Sequence, residues 1–502
     1  MKNIAVVNAT GLRPTTLRPL AGGASALERA VTFGRALPGV EEVVLLLAGP
    51  LPKTVPALNL RTIERAAWTS GDLLETLATL AEGREDLFYF FGDCPLLDSG
   101  LAARMHASHR RYFADYTFAD GFPVGLAPEI LQSGTPRRLR SLAGDGPLAR
   151  AVPDRQTIFT VLKTDINSFD VETELSPVDL RMMRAFLCAD TERNFLLLTR
   201  VLERGGRDAA TACRVLQESP EILRTLPAWF PIQIVEGCPQ SCSYCPYPVL
   251  GGDPRSRQGV MPKEAFSALL EKIESFAGQA VVGISLWGEP ALHPQIEGLI
   301  AEALSRPGID LVVETSAVGW KPGAFQVIRG SSPRAPTWIV SLDAASQAVY
   351  GTLRGDGFGE ALAAVESLQT LFPATTWVQA VRMKENEEDL EAFYKAWKSR
   401  TENLIIQKYD SFCGMLPERR VADLSPVTRF PCWHLMRDFP ILLDGTVPLC
   451  REELRRGRVL GNAQSEDLAA IWDRGAEVHR SHLRREYPGL CAGCDEYYTY
   501  NF

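Results

Sequence analysis

The sequence predicts an α/β protein in four parts: a front α/β domain at 1–172, a helical connector at 173–228, an incomplete six-unit (β/α) barrel at 229–410 and a small cysteine-bearing domain at 411–502. Three observations predict it. Two separate series of strand-like runs alternate with helical ones, an all-helical stretch divides the series, and most of the eleven cysteines gather behind one barrel strand and in the last domain.

The front series runs IAVVN, SALERAVTFGRAL, EEVVLLLAG, then DLFYFFGD and GLAARMHASHRRYF, an alternation that implies a mostly parallel sheet. From about Ser176 to Pro227 the pattern is helical, as in LRMMRAFLCADTERNFLLLTRVLE, with no strand candidate. The second series starts at FPIQIVEG and recurs every ~30–40 residues, as strand–helix units do. Its strands are PIQIVE, AVVGISLW, IDLVVETS, TWIVSLD, TWVQAVRM and NLIIQKY, with helices such as MPKEAFSALLEKIESF between them. Such barrels carry their chemistry at the strand C-terminal ends. In the last domain ILLDGTVPLC reads as a hairpin turning at Asp444 and Gly445, and CAGC closes the region.

Composition narrows the function. Over 502 residues, 46% hydrophobic and 23% charged is ordinary globular content, enough for several cores. The net charge of −8 and the absence of a Lys/Arg patch argue against nucleic acid as a partner. No apolar run approaches the ~20 residues of a membrane span, and the N-terminus lacks a signal-peptide pattern. The expectation is a cytoplasmic protein without a membrane partner. Eleven cysteines is an odd number and a poor disulfide framework. Cys94, Cys188, Cys213 and Cys413 stand singly.

CPQSCSYC places Cys238, Cys242 and Cys245 on one loop after a strand. Three thiolates leave one iron of a four-iron cluster without a protein ligand, and an open iron can chelate a substrate's amino and carboxylate groups beside an electron donor. A zinc knot normally completes four ligands from paired CxxC units, and no fourth Cys or His lies near this loop in sequence. The second group, Cys432, Cys450, Cys491 and Cys494, suits either one fully ligated cluster or a structural zinc ion.

The first loop resembles the signature of the radical S-adenosylmethionine (SAM) superfamily, CxxxCxxC with an aromatic residue, here Tyr244, before the last cysteine. The resemblance spans about Pro231 to Asp410 and implies a partial (β/α)6 TIM barrel holding a SAM-binding 4Fe-4S cluster. In LWGEP, Gly288, Glu289 and Pro290 resemble the motif whose backbone carbonyls receive the SAM amino group, with Trp287 in place of its usual first glycine. Glu314, Thr315 and Ser316 resemble the third-strand SAM-binding segment, and Ser341 and Asp343 the fourth-strand pair near the ribose. Arg354 and Arg382 are the candidates for the SAM carboxylate.

PCWHL, LDGTVPLC, VLGNAQSEDLAAIW and CAGC resemble the C-terminal extension of SPASM and twitch enzymes. Four cysteines match the shorter, twitch version and imply one auxiliary 4Fe-4S cluster, with Cys413 a further candidate ligand. Residues 1–172 resemble GT-A nucleotidyltransferases, cytidylyltransferases above all, through LRPLAGGASALERAV and GDCPLLD. That resemblance places a Mg2+ ion on Asp93 and basic loop residues at Arg13 and Arg18. NATGLRPTTLRP departs from the family's compact phosphate loop, so the reading is that the fold is kept without the catalysis. The whole order of domains resembles the spiro-SPASM proteins.

The implied function is reductive cleavage of SAM to a 5′-deoxyadenosyl radical that abstracts hydrogen from a small-molecule, peptide or sugar-nucleotide substrate, as in an oxidation. The implied electron donor is a flavodoxin or ferredoxin. The rival reading is a non-catalytic scaffold with zinc at both cysteine groups.

Overall fold

A computed structural model describes residues 2–52, 58–248, 252–284 and 286–499. The chain divides into two compact units, Met1–Thr225 and Leu226–Phe502. Among the described residues no helix is long and apolar enough to cross a membrane.

The first unit is built on a seven-stranded sheet of β1 (Asn3–Ala9), β2 (Val40–Leu47), β3 (Arg61–Glu64), β4 (Asp86–Phe91), β5 (Tyr116–Asp120), β6 (Glu129–Gln132) and β7 (Val171–Leu175), in the order β3-β2-β1-β4-β6-β5-β7. Pairing is parallel except at β6, which runs antiparallel to β4 and β5. The apolar run of β1 is buried on both faces, as a central parallel strand requires. Helix Ala26–Ala36 starts at a capping box, in which Ser25 accepts from the Glu28 N–H and Glu28 accepts from the Ser25 N–H, closing two otherwise orphaned donors.

The expected connector differs from its description. β7 crosses its 172/173 boundary and pairs with β5. Helices Glu192–Glu203 and Ala209–Glu218 follow the helical expectation, but Leu198, Val201, Leu216 and Ile222 bury into the same core as Ala5, Val7 and Phe88. An amphipathic helix beside an uncovered sheet face gains more from docking than from solvent.

The second unit holds the six expected strands as one parallel sheet, β13-β12-β11-β10-β9-β8. They are β8 (Trp229–Ile232), β9 (Ala280–Ile284), β10 (Ile309–Thr315), β11 (Thr337–Ser341), β12 (Thr376–Arg382) and β13 (Leu404–Lys408). Strand β9 ends at Ile284, and Ser285 of the expected AVVGISLW run lies outside the described residues. The sheet is open, without pairing of β13 to β8 among the described residues.

Alternation sorts the side chains. Phe230, Ile232, Val282, Val313, Trp338, Val340, Val378 and Ala380 join the helix-side core. Trp229, Val312 and Ile339 form a second cluster with Val281, Trp377 and Ile405 on the opposite, inner face. One step further toward the C-terminal ends, the inner positions are Gln233, Glu314, Ser341 and Gln379.

The hairpin is present with a different partner. The Leu442 N–H bonds to the Thr446 carbonyl across the Asp444–Gly445 turn, but β14 (Thr446–Pro448) pairs antiparallel with β15 (Val459–Asn462). The residues before the turn run parallel to β8 instead: Phe439 and Ile441 donate to the carbonyls of Trp229 and Pro231 at 2.8 and 2.9 Å. This satisfies an edge that would otherwise present unpaired backbone groups.

Leu198 is fully buried. Leu198→Ala is expected to cost ~2–5 kcal/mol in urea unfolding; a cost below ~0.5 kcal/mol, typical of surface sites, would show that the helix is a loose connector.

Candidate active site

The cysteine loop leaves β8, is tied to two neighbouring segments and is closed by a turn of its own. The Cys238 N–H bonds to the Pro254 carbonyl at 3.2 Å, the Ser243 N–H to the Leu353 carbonyl at 2.8 Å, and the Cys245 N–H to the Cys242 carbonyl at 3.1 Å. Burial pushes the Cys238 and Cys245 thiols up to about 12 and raises Cys242 as well, where the Arg354 guanidinium opposes the rise. Such thiols ionise on a metal centre rather than in its absence.

A buried polar network fixes the loop. Asp343, in a left-handed conformation that short polar side chains tolerate, turns its carboxylate toward Arg354 at 2.5 Å and toward the Tyr244 hydroxyl at 2.5 Å. Its second oxygen accepts the Val381 N–H at 2.7 Å. Arg354 also contacts the Tyr244 hydroxyl and donates to Gln240 Oε1 from Nε and Nη2 at 3.1 and 2.9 Å. Gln240 passes the network on to the Tyr350 hydroxyl at 2.8 Å. The Asn386 side chain donates to the Asp343 carbonyl at 2.8 Å.

Arg354 and Asp343 are packed against each other, with side chains 6% and 0% exposed, and they hold the cysteine loop. Arg382 points elsewhere for a geometric reason: Trp377, on the inner face, is an odd-numbered neighbour, so alternation puts Arg382 on the other side, where it pairs with Glu387 at 2.5 and 2.8 Å.

The LWGEP loop is stitched to its neighbours. Gly288 has φ +88, and a Cβ there would lie 2.2 Å from the Val235 carbonyl oxygen, so only glycine fits. The Glu289 N–H bonds to the Gly237 carbonyl at 2.8 Å. The Glu289 carboxylate is buried and accepts from the Thr315 hydroxyl at 2.5 Å and from the Ser316 N–H and hydroxyl at 2.7 Å each. Pro290 opens the short turn that follows. The ends of β8, β9 and β10 are thus locked in one register, and Thr315 and Ser316 serve that lock.

Glu314 and Ser341 occupy the inner polar layer. Ser341 accepts from Gln379 at 3.4 Å. Burial raises the Glu314 carboxyl, and Arg451 opposes it. Trp287, the replacement for glycine, stacks on Tyr247 with centroids 6.0 Å apart and meets Phe412 at 5.6 Å. Tyr247 and Trp287 with Gln233, Arg257, Arg451 and Glu453 line a cavity of about 310 Å³.

The second cysteine group comes together from distant segments. Cys432 lies beside Cys494 and Cys491, and Cys450 beside Cys432 and Cys494. Cys413 joins them, close enough to Cys494 for the two thiols to interact. A buried ion network surrounds the group. Arg451 pairs with Asp410 at 3.0 Å and Glu452 at 2.9 Å, Lys408 with Asp495 at 3.2 Å and with Glu496, and Arg420 with Asp495 at 3.0 Å.

Donor atoms of three or more His, Cys, Asp or Glu residues fall within 4.8 Å of one another at Asp93–Cys94–Cys188 and at Asp410–Asp495–Glu496, and neither predicted cysteine set is so tight among the described residues. One zinc ion with ~2.3 Å bonds would draw tetrahedral thiolates to about 3.8 Å of one another.

In the first unit, Asp93 follows β4 as expected, but its carboxylate pairs with Arg155 at 2.6 Å. Arg18 pairs with Glu192 at 2.5 Å, and Arg13 is exposed at the start of the short helix Pro14–Leu17. The donor set expected for Mg2+ does not fit that ion here.

The chain matches two family profiles, one described as the radical SAM superfamily over residues 232–396 and one described as an iron-sulfur cluster-binding domain, SPASM, over 432–495. It is 40% identical over 358 residues to an uncharacterised protein of Treponema pallidum, covering 69% of this chain and 98% of that one. Among solved structures it is similar to Streptococcus suis SuiB bound to S-adenosylmethionine, with 15% identity, TM-score 0.43 and coverage of 53% of this chain and 70% of that one. It is similar also to a cytidylyltransferase from Leptospira borgpetersenii, with 17% identity, TM-score 0.37 and coverage of 44% and 95%.

Arg354→Met removes the guanidinium that joins Asp343 to Gln240 and Tyr244, and breaking a buried pair of this kind costs ~3–5 kcal/mol. The variant is expected to lose at least half of the iron bound after anaerobic reconstitution, while Arg382→Met keeps its iron. Equal iron in both variants would contradict the role given to Arg354. Gly288→Ala should likewise fail to hold a SAM-responsive loop, read as loss of SAM binding by calorimetry; binding at the native affinity would contradict it.

Proposed function

We infer that this chain, which belongs to the radical SAM superfamily and carries a SPASM iron-sulfur domain behind its barrel, cleaves SAM reductively and uses the product to abstract hydrogen from a small-molecule or peptide substrate. The observation that carries the reading is a loop with three thiols and no fourth, clamped by Arg354 and Asp343 over an inner layer of polar side chains.

Cys238, Cys242 and Cys245 would hold the first cluster, and Cys432, Cys450, Cys491 and Cys494 the second. When bound, the first cluster with SAM supplies one-electron cleavage to methionine and a 5′-deoxyadenosyl radical, and the second supplies a one-electron acceptor. The chain's own contribution is positioning. Glu289, spent on Thr315 and Ser316, leaves the backbone of Gly288–Pro290 to receive the SAM amino group. Glu314 and Ser341, inner-face residues on adjacent strands, suit the polar parts of the nucleoside.

The cavity between Trp287, Tyr247 and Arg451 is at the small end of ligand pockets, which run ~300–1,000 Å³. It suits a substrate segment presented at the barrel mouth beside Arg257 and Arg451. The auxiliary acceptor suits a two-electron oxidation, with the first electron entering from a flavodoxin- or ferredoxin-type donor.

After anaerobic reconstitution the protein is expected to carry roughly eight irons with matching sulfide and to form 5′-deoxyadenosine from SAM with dithionite, detected by chromatography. Cys242→Ala should form none. No 5′-deoxyadenosine from the iron-loaded wild type, or about two zincs and no sulfide, would overturn the reading.

A further inference from the structure

The first unit contains a cation of its own where the cytidylyltransferase resemblance puts a divalent ion. Asp93 and Asp190 face each other across Arg155. Arg155 Nη2 lies 2.6 Å from Asp93 Oδ2 and 3.5 Å from Asp190 Oδ2, so one nitrogen touches both carboxylates. Nη1 lies 3.3 Å from Cys94 Sγ, and the guanidinium stands 4.6 Å over the Phe91 ring. Cys188 Sγ is 3.7 Å from Cys94 Sγ behind it. Two carboxylates and a thiol pair thus surround one positive group, which is partly buried at 21% exposure.

The neighbouring loop is consumed in the same way. Thr15 and Thr16 are buried and both donate to the Ala189 carbonyl, at 2.7 and 3.0 Å. The Ala189 N–H bonds to the Asp93 carbonyl at 2.7 Å. Arg18 pairs with Glu192 and lies 4.6 Å over Phe195. Arg155 therefore engages the carboxylate after β4, and Glu192 with Phe195 engages the basic residue of the loop after β1, the two features that a phosphate-and-metal site would need free.

We propose that Arg155 is the resident cation of this seat, and that the first unit takes no magnesium or manganese ion at Asp93. A divalent ion bridging Asp93 and Asp190 would stand where Nη2 stands, and it would meet a fixed positive charge at contact distance, where electrostatic repulsion is strongest. A hard ion also gains little from the two thiols beside it. The fold is kept while metal-dependent nucleotidyl transfer is not. Removing the guanidinium leaves two carboxylates facing each other without a counter-charge, which is the composition of a hard-ion site.

Room-temperature EPR of free Mn2+ tests this on the full-length, iron-loaded protein. Wild type and Asp93→Asn are expected to bind the same amount of Mn2+. Arg155→Met, which keeps an apolar stem on Phe91, is expected to gain one Mn2+ per chain, lost again when Asp93→Asn is added. Arg155→Lys, which keeps the charge, should gain none. Asp93-dependent Mn2+ binding in the wild type would overturn the proposal, and so would an Arg155→Met protein that matches the wild type. The comparison of wild type with Asp93→Asn decides by itself if the Arg155 variant does not fold.

Discussion

One buried ion pair governs the site in the second unit. Asp343 and Arg354 are removed from water together, and the guanidinium is long enough to reach two residues of the cysteine loop, Gln240 and Tyr244. A buried charge that lost its partner would be expensive, so loop, strand end and following helix are held in one arrangement. The three thiols inherit their positions from that constraint. The backbone bonds of Cys238 to Pro254 and of Ser243 to Leu353, the neighbour of Arg354, refine the loop.

A second constraint lies between the barrel sheet and the residues after it. The chain from Arg437 to Ile441 adds to the β8 edge, and Arg451, immediately after Cys450, reaches Asp410 beyond β13. The segment that carries the auxiliary cysteines thus adds to the β8 edge and reaches the residue two positions beyond β13. Carboxylates crowded around these cysteines are matched by Lys408, Arg420 and Arg451, which accounts for an acidic cluster that would otherwise read as a metal site.

Much of this was legible in the sequence, and the residues explain where legibility stopped. Strand and helix periodicity located all six barrel strands because each carries a mostly apolar run between turn signals. Cysteine spacing found the first loop because its three cysteines are local in sequence. The partner of β14 was missed because sequence proximity favours the residues before the turn, whereas those residues pair with β8, some 200 positions away. The roles of Arg354 and Arg382 followed from type and place near a strand end. Which face a side chain takes, and whether a buried carboxylate such as Asp343 claims it first, is decided by packing. Gln240, Tyr350, Asn386 and Arg155 carried no motif at all; a glutamine between two cysteines has no spacing that marks it. The docking of helices Glu192–Glu203 and Ala209–Glu218 was missed for a related reason, since an amphipathic pattern shows that a face is buried but not against what.

On the proposed function, the cysteine loop leaves one coordination position for SAM. EPR of the dithionite-reduced protein, with and without SAM labelled with 17O in its carboxylate and 15N in its amino group, tests it most directly. A shifted cluster signal with hyperfine coupling to both labels is expected. A signal that is unchanged by SAM and carries no coupling would mean that no such position exists.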